Sequence, residues 1–176
     1  MIVDLSFSSL PLRDAVTKIV ERHRDDLAPC LIIRGDDPEA IAELSQYLIS
    51  LPNTFLIRLG ESSRLSTFDF DLYSQLDPNF KAADFRYNSP HTMLLTKICR
   101  KLHKMSGNPI IVLDRCHHLK SRILFRFLHL VNRLEGRVLF LFLLPDYYVD
   151  KWSADKDTIL KYFLKIIDKK YLIHDR

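Results

Sequence analysis

Residues 138–144 (VLFLFLL) form an unbroken run of apolar side chains. A strand that is covered on only one face alternates apolar and polar residues, whereas a strand covered on both faces is apolar throughout. The run therefore predicts a strand at the centre of a parallel sheet. Shorter apolar runs at residues 30–33 (CLII), 54–59 (TFLIRL) and 110–113 (IIVL) predict three further strands.

The segments between these runs have helical patterns. Residues 36–39 (DDPE) suit a helix start, because aspartate caps a helix, proline fits its first turn and acids favour its positive end. Apolar side chains at helical spacing predict further helices at residues 9–27, 119–134 and 153–167, and another from residue 89 to the break at residues 108–109; residues 171–173 predict an edge strand. The middle segment, residues 60–88, predicts only short helices and packed loop.

Strands that alternate with helices predict a three-layer, doubly wound α/β fold. We expect a mostly parallel sheet of about five strands with helices on both faces. The chain has 176 residues and ordinary globular composition, so residues 1–176 are expected to form a single domain.

The bulk composition points to a cytoplasmic protein. The three cysteines, Cys30, Cys99 and Cys116, have no paired spacing, which is typical of reduced thiols. The longest apolar run is too short to span a bilayer, and the N-terminal residues lack a secretory pattern. A net charge of +4 favours contact with nucleic acid, an anionic surface or an acidic protein.

Two segments of the sequence resemble the P-loop NTPases. Residues 31–44 (LIIRGDDPEAIAEL) run from an apolar strand through Gly35 into a helix start. Residues 110–119 (IIVLDRCHHL) resemble the Walker B stretch of the AAA+ ATPases, in which an apolar strand ends in acidic residues. The following helix and strand fit the same family, and most resemble its short helpers of DNA transposition and its secretion ATPases. The resemblance implies an AAA+-like domain, here without the family's helical lid domain.

The phosphate-binding residues of that family are missing. Its Walker A loop is glycine, four residues, and then Gly-Lys-Ser/Thr, in which lysine neutralises phosphates and the hydroxyl binds magnesium. Counted from Gly35, the last three positions are Ala40, Ile41 and Ala42. None of these side chains performs that chemistry.

The residues after Gly35 also carry negative charge, whereas phosphate binding needs positive charge. Asp36 and Asp37 lie where a polyphosphate would sit, and like charges at about 4 Å repel by roughly 1 kcal/mol in water and several-fold more where screening is poor. Asp114 remains at the second motif, but the neighbouring catalytic acid position is Arg115, which cannot deprotonate water.

We therefore expect a vestigial nucleotide site with no catalytic residue, no metal and no cofactor. Its members would be Gly35, Asp36, Asp37, Asp114 and Arg115. The resemblance then implies a non-catalytic interaction or regulatory module in a multiprotein assembly, including a DNA-handling one. A protein partner is expected, and homo-oligomerisation is compatible with the sequence. A weak nucleotide-binding ATPase is an alternative.

Nucleic-acid binding is a second alternative, because basic residues recur along the predicted helix 119–134. Their spacings of four, three and four residues place them on one face, and the preceding helix adds four more cations. Such a stripe suits a phosphate backbone or an acidic protein, or is an ordinary solvated face. The residues are Lys97, Arg100, Lys101, Lys104, Arg122, Arg126, His129 and Arg133.

Two further patterns have weaker interpretations. Cys116, His117 and His118 follow a strand end and suggest zinc or a cysteine nucleophile, but consecutive residues cannot converge on one ion without distortion. A polar turn with one buried thiol is favoured. The aromatic side chains of residues 60–88 and 147–152 are expected to fill the end of the sheet where a nucleotide would sit.

Overall fold

The computed structural model describes residues 2–4, 14, 17, 18, 21, 30–35, 38–61, 64–81, 91–118, 120–135 and 137–145. Its strands form one parallel sheet in the order β1-β2-β5-β4-β3. These strands are β1 (Ile2–Asp4), β2 (Cys30–Gly35), β3 (Thr54–Arg58), β4 (Ile110–Asp114) and β5 (Leu139–Pro145).

The most apolar strand is the central one, as predicted. β5 is hydrogen-bonded to β2 on one side and β4 on the other. Phe140 and Phe142 belong to the apolar cluster on one face of the sheet, and Leu139, Leu141 and Leu143 belong to the cluster on the other. Each of these side chains is at most 1% exposed. Burying one Leu or Phe stabilises a fold by about 1.5–3 kcal/mol.

Helices cover both faces of the sheet, so the layers match the prediction. The described helices are α1 (Pro38–Ser50), α2 (Leu65–Leu76), α3 (His91–Lys104) and α4 (Ser121–Leu134), with a short 3-10 helix at Cys116–His118. α1 packs on one face through Ile41, Leu44 and Leu48, and the other three helices pack on the opposite face. None of these helices, within the described part of the chain, is long and apolar enough to cross a membrane.

Two elements differ from the sequence-based expectation. β1 was not predicted, because its three residues are too few to show a pattern. α2 is a regular helix of 12 residues where short helices and loop were expected. Of the predicted helix at residues 9–27, only residues 14, 17, 18 and 21 are described, and all are helical. The predicted helix 153–167 and strand 171–173 lie outside the described residues.

A side chain of α2 protects the exposed edge of β3. The Leu56 N–H donates to Gln75 Oε1 at 3.0 Å, and Gln75 Nε2 donates to the Leu56 carbonyl at 2.8 Å. The amide of Gln75 thus makes the two hydrogen bonds that a further strand would make at this residue. Unpaired edge groups invite association with other strands, and this contact blocks the middle of the edge.

A buried ion pair joins α2 to α4. Asp69 Oδ2 lies 2.8 Å from Arg126 Nη2, and the two side chains are 0% and 8% exposed. Burial raises the pKa of Asp69 to about 7, although the Arg126 guanidinium opposes this shift. Asp69 Oδ1 and Arg126 Nε have no hydrogen-bond partner among the described residues, so the pair is incompletely satisfied.

The Arg126→Met substitution should strongly destabilise the protein at alkaline pH. It leaves the Asp69 carboxylate buried without a counter-charge, which costs about 3 kcal/mol of unfolding free energy. Because the folded pKa of Asp69, about 7, exceeds the ordinary value of 3.8 for an aspartate, its stabilising contribution is full below about pH 4 and is lost as pH rises through 7. Removal of Arg126 raises that pKa further, so urea unfolding should show a larger loss at about pH 8 than at about pH 5.

Lys101→Met is the matched control for this comparison. Lys101 Nζ pairs with Asp77 Oδ2 at 3.2 Å, but both side chains are partly exposed. Its loss should cost much less than that of Arg126 at either pH, because a partly exposed ion pair is screened by solvent. Equal losses for the two variants, or a pH-independent loss for Arg126→Met, would contradict the assignment of Asp69 as a buried titrating group.

Candidate functional site

The carboxyl ends of the parallel strands meet at one edge of the sheet, which is the candidate site. Ligands of α/β folds bind outside this edge. Gly35 is the last residue of β2 and pairs with Pro145 at the end of β5, while Asp114 ends β4 on the other side of β5. The structure therefore places Gly35 and Asp114 at the same edge. Because β5 lies between their strands, they are two strand spacings, or about 10 Å, apart across the sheet.

The connection from β2 to α1 is very short. β2 ends at Gly35 and α1 begins at Pro38, so only two residues intervene. These are Asp36 and Asp37, which lie outside the described residues. A Walker A loop has four residues between its first glycine and its Gly-Lys pair, and their backbone N–H groups surround the phosphates. A two-residue connection has half that length.

The residue at the Walker A lysine position belongs to the core. Ile41 is 8% exposed and packs in the apolar cluster between α1 and the sheet. Ala42, at the position of the magnesium-binding hydroxyl, is exposed on α1. The side chain at position 41 therefore stabilises the helix against the sheet.

Asp114 contacts an arginine of the neighbouring strand. β3 and β4 are in register at Arg58 and Asp114, and Arg58 Nε lies 3.7 Å from Asp114 Oδ2. The Asp114 side chain is 18% exposed, and its backbone carbonyl accepts a hydrogen bond from the Leu59 N–H at 3.1 Å. Sequence reasoning missed Arg58, because only the adjacency of β3 and β4 brings it to Asp114.

Arg115 turns the chain away from the sheet. It is exposed and has a φ of 57°, in the left-handed region that is uncommon for residues other than glycine. Its carbonyl accepts a hydrogen bond from the His118 N–H at 3.0 Å, which closes the 3-10 turn. At the position of a catalytic acid there is thus an exposed guanidinium, which has no acceptor atom for a proton of water.

A further cation reaches the same edge from α4. Lys120 Nζ donates to the Glu61 carbonyl at 2.7 Å and links the segment after β3 to the start of α4. Arg58, Arg115 and Lys120 are all exposed. The described part of this edge therefore holds three exposed cations, of which Arg58 contacts Asp114.

The Cys116 thiol is buried and unreactive in character. Cys116 is 0% exposed, and its Sγ donates to the Leu113 carbonyl at 3.1 Å. Burial raises the pKa of this thiol well above its usual range, and the nearby Asp114 carboxylate raises it further. A nucleophilic cysteine needs a lowered pKa, so the geometry favours the buried thiol over the nucleophile.

Metal binding finds no support in the described ranges. Nowhere in them do three or more His, Cys, Asp or Glu side chains form a group that could hold a metal ion. The side chain of His117 lies outside the description, and that of His118 is partly buried.

Of the eight predicted basic residues on α3 and α4, six are exposed, Lys101 is partly exposed and Arg126 is buried. Arg126 was predicted on the exposed face, and this was wrong, because it is 7% exposed and faces Asp69 of α2. Lys101 is partly exposed and paired with Asp77 of α2. The exposed residues are Lys97, Arg100, Lys104, Arg122, His129 and Arg133.

Direct contacts hold α3 and α4 side by side. Arg133 Nη1 donates to Thr96 Oγ1 at 3.4 Å, and His103 Nε2 lies 3.2 Å from the Arg133 carbonyl oxygen. The exposed basic residues of the two helices therefore belong to one continuous surface.

The described aromatic side chains of the middle segment do not fill the carboxyl edge as expected. Phe68 packs edge-on against Phe127 at 4.9 Å, and Phe127 contacts Phe140 and Phe142 of β5 at 5.5 and 5.6 Å. These rings fill the layer between the helices and a face of the sheet. The expectation was wrong for Phe68 because α2 lies over the sheet. Residues 147–152 lie outside the described residues.

Comparison with known structures finds a solved protein with a similar fold. The crystal structure of Cdc6p from Pyrobaculum aerophilum is similar to this chain, with a TM-score of 0.57 and 15% sequence identity. The match covers 94% of this chain and 46% of Cdc6p, so the chain spans about half the length of that protein. At this identity the likeness shows the fold alone. No family model and no curated protein sequence matches the chain.

Cys116 should resist alkylation in the folded protein. Its thiol is buried and held protonated, so iodoacetamide at neutral pH should leave it unmodified while the same reagent in urea modifies it fully. Peptide mass spectrometry measures both states. Cys99 is also buried and provides an internal comparison. Rapid native labelling of Cys116 alone would revive the nucleophile interpretation.

Proposed function

We propose that this chain is a non-hydrolysing AAA+-like module that acts by interaction within a multiprotein assembly. The observation that carries the proposal is the state of the carboxyl edge. The edge combines a two-residue connection after Gly35 with a carboxylate, Asp114, that is engaged by Arg58.

Phosphate binding has no suitable backbone at this edge. A P-loop binds phosphates mainly through consecutive N–H groups that precede the helix, supported by the helix dipole and one lysine. The connection here has two residues, both aspartate, and the lysine position is the core residue Ile41. A bound triphosphate would meet two negative charges with neither the loop nor the lysine.

Magnesium binding at Asp114 is also disfavoured. Asp114 is the carboxylate that would hold magnesium, but Arg58 and the exposed Arg115 lie beside it. Two nearby guanidinium groups disfavour a divalent cation through like-charge repulsion. These features support the non-catalytic role over a weak nucleotide-binding ATPase.

The interaction role follows from what the domain retains. The sheet, its two apolar clusters and its helical layers are complete enough to hold surfaces rigidly. A domain without nucleotide chemistry acts through such surfaces. We propose a protein partner in a cytoplasmic assembly, including one that handles DNA, and its association should be independent of nucleotide.

Millimolar ATP with magnesium should leave the thermal unfolding midpoint unchanged. A ligand present at about 100 times its Kd stabilises a protein by about 2.7 kcal/mol, which shifts the midpoint by several degrees in a domain of this size. Differential scanning fluorimetry with ATP, ADP and magnesium measures this shift. Phosphate release should match that of a buffer blank.

Asp114→Asn is the control variant for the nucleotide experiment. If a magnesium–nucleotide complex bound through Asp114, the variant would lose a shift that the wild type shows. For each of the two proteins, we expect the same unfolding midpoint with and without nucleotide. A shift in the wild type that disappears in Asp114→Asn would refute the proposal.

Affinity capture tests the positive part of the proposal. The tagged full chain should retain the same partner proteins in ATP, in ADP and in EDTA, because no nucleotide site controls the interaction. Quantitative mass spectrometry compares the three samples. A partner that is retained only with ATP would contradict a nucleotide-independent module.

A further inference from the structure

The positive charge of the protein is concentrated on α3 and α4. The two helices contain seven Lys and Arg residues and no Asp or Glu. The whole chain has a net charge of only +4, so the rest of the chain is negative by three charges. A random distribution of the 26 basic and 22 acidic residues would place several acids on these helices. This asymmetry creates a one-sided field of the kind that attracts polyanions.

Two of the seven cations pair with carboxylates in or just after α2. Arg126 is buried against Asp69, and Lys101 pairs with Asp77. The other five Lys and Arg residues are exposed, Arg133 while it donates to Thr96, and His129 lies among them on α4. We call these six residues the α3–α4 cationic surface: Lys97, Arg100, Lys104, Arg122, His129 and Arg133.

The spacing of these cations suits an extended anion. Lys97, Arg100 and Lys104 follow one another at three and four residues, so they form a stripe with a charge about every 5 Å along α3. Arg122 and Arg133 lie about 16 Å apart along α4, which is about three turns. Because α3 and α4 are in contact through Thr96 and Arg133, the two stripes are adjacent.

The uncharged residues of this surface favour a phosphate backbone over a protein. Protein interfaces have an apolar centre from which charged residues are depleted. Here the described residues of the two helices include only two exposed apolar side chains, Met93 and Phe125, each three or four residues from a cation, and the other exposed neighbours, such as Thr96 and Asn132, are polar. Arg, Lys, Thr and Asn are the side chains that contact phosphates and sugars in protein–DNA complexes.

We infer that the α3–α4 cationic surface binds the phosphodiester backbone of nucleic acid without sequence specificity. This inference is independent of the nucleotide proposal, because the surface lies on a helical face and uses none of the residues at the carboxyl edge. Binding to nucleic acid and binding to ATP are measured separately, so either idea can fail alone.

Fluorescence anisotropy of labelled nucleic acid with the full chain tests this inference. The probes are a short DNA duplex and a single strand of matching sequence, titrated from about 50 to about 200 mM salt. With five Lys and Arg contacts, log K should fall with log salt at a slope of up to about −4.5 for the duplex. Lys97→Gln/Arg100→Gln/Lys104→Gln should weaken binding by at least about tenfold and flatten the slope by about 2 or more.

Arg100→Gln and Lys101→Gln form a matched pair of single variants. Both remove one positive charge from adjacent positions, but only Lys101 is engaged by Asp77. Arg100→Gln should flatten the slope by about 0.9, whereas Lys101→Gln should leave the slope unchanged and the affinity within about twofold. Circular dichroism melts verify that each variant is folded.

Salt-dependent binding to either probe that is weakened by Arg100→Gln but not by Lys101→Gln supports the inference. The probe that binds more tightly shows whether the surface prefers a duplex or a single strand. Equal losses for Arg100→Gln and Lys101→Gln would overturn it, because net charge alone would then explain the binding. No salt-dependent binding to either probe would also overturn it. Polyglutamate is the competitor that tests for an acidic protein. If it displaces the labelled probe as well as unlabelled DNA does at equal charge, the inference is overturned.

Discussion

The burial of β5 on both faces is the constraint on which the rest of this structure depends. A strand with apolar side chains on both sides must lie between two layers of helices, and it must hydrogen-bond to a strand on each side. β2 and β4 take those places, and their carboxyl ends bring Gly35 and Asp114 to one edge. The position of the candidate site is thus a consequence of where the apolar run lies in the sheet.

The side chains at that edge are not those that a nucleotide site in this position would need. The fold supplies the place where P-loop proteins bind nucleotides, but the side chains there form an Arg58–Asp114 contact and an exposed Arg115. The strongest concentration of charge lies on the α3–α4 cationic surface instead. Within one domain, therefore, the candidate site at the carboxyl edge and the proposed nucleic-acid surface are separate.

Much of the fold could be predicted from the sequence, since local patterns carry the information. Apolar runs indicated β2 to β5, and helical spacing indicated α1, α3 and α4. The ion pairs could not be predicted, because Arg58 meets Asp114, and Arg126 meets Asp69, only after strands and helices pack. Helical spacing put Arg126 with the exposed cations, but α2, an unpredicted regular helix, packs there. The absence of Walker A residues could be read at Ile41 and Ala42, whereas the two-residue length of the connection after Gly35 required the bounds of β2 and α1.

The central claim is that the carboxyl edge retains the place of a nucleotide site without its function. Two-dimensional amide NMR with magnesium and ATP tests this most directly, because it reports on individual residues of the edge. The account predicts unchanged chemical shifts for Gly35, Leu59 and Asp114 at millimolar nucleotide. Saturable shifts at these three amides, absent from those of the α3–α4 cationic surface, would contradict it.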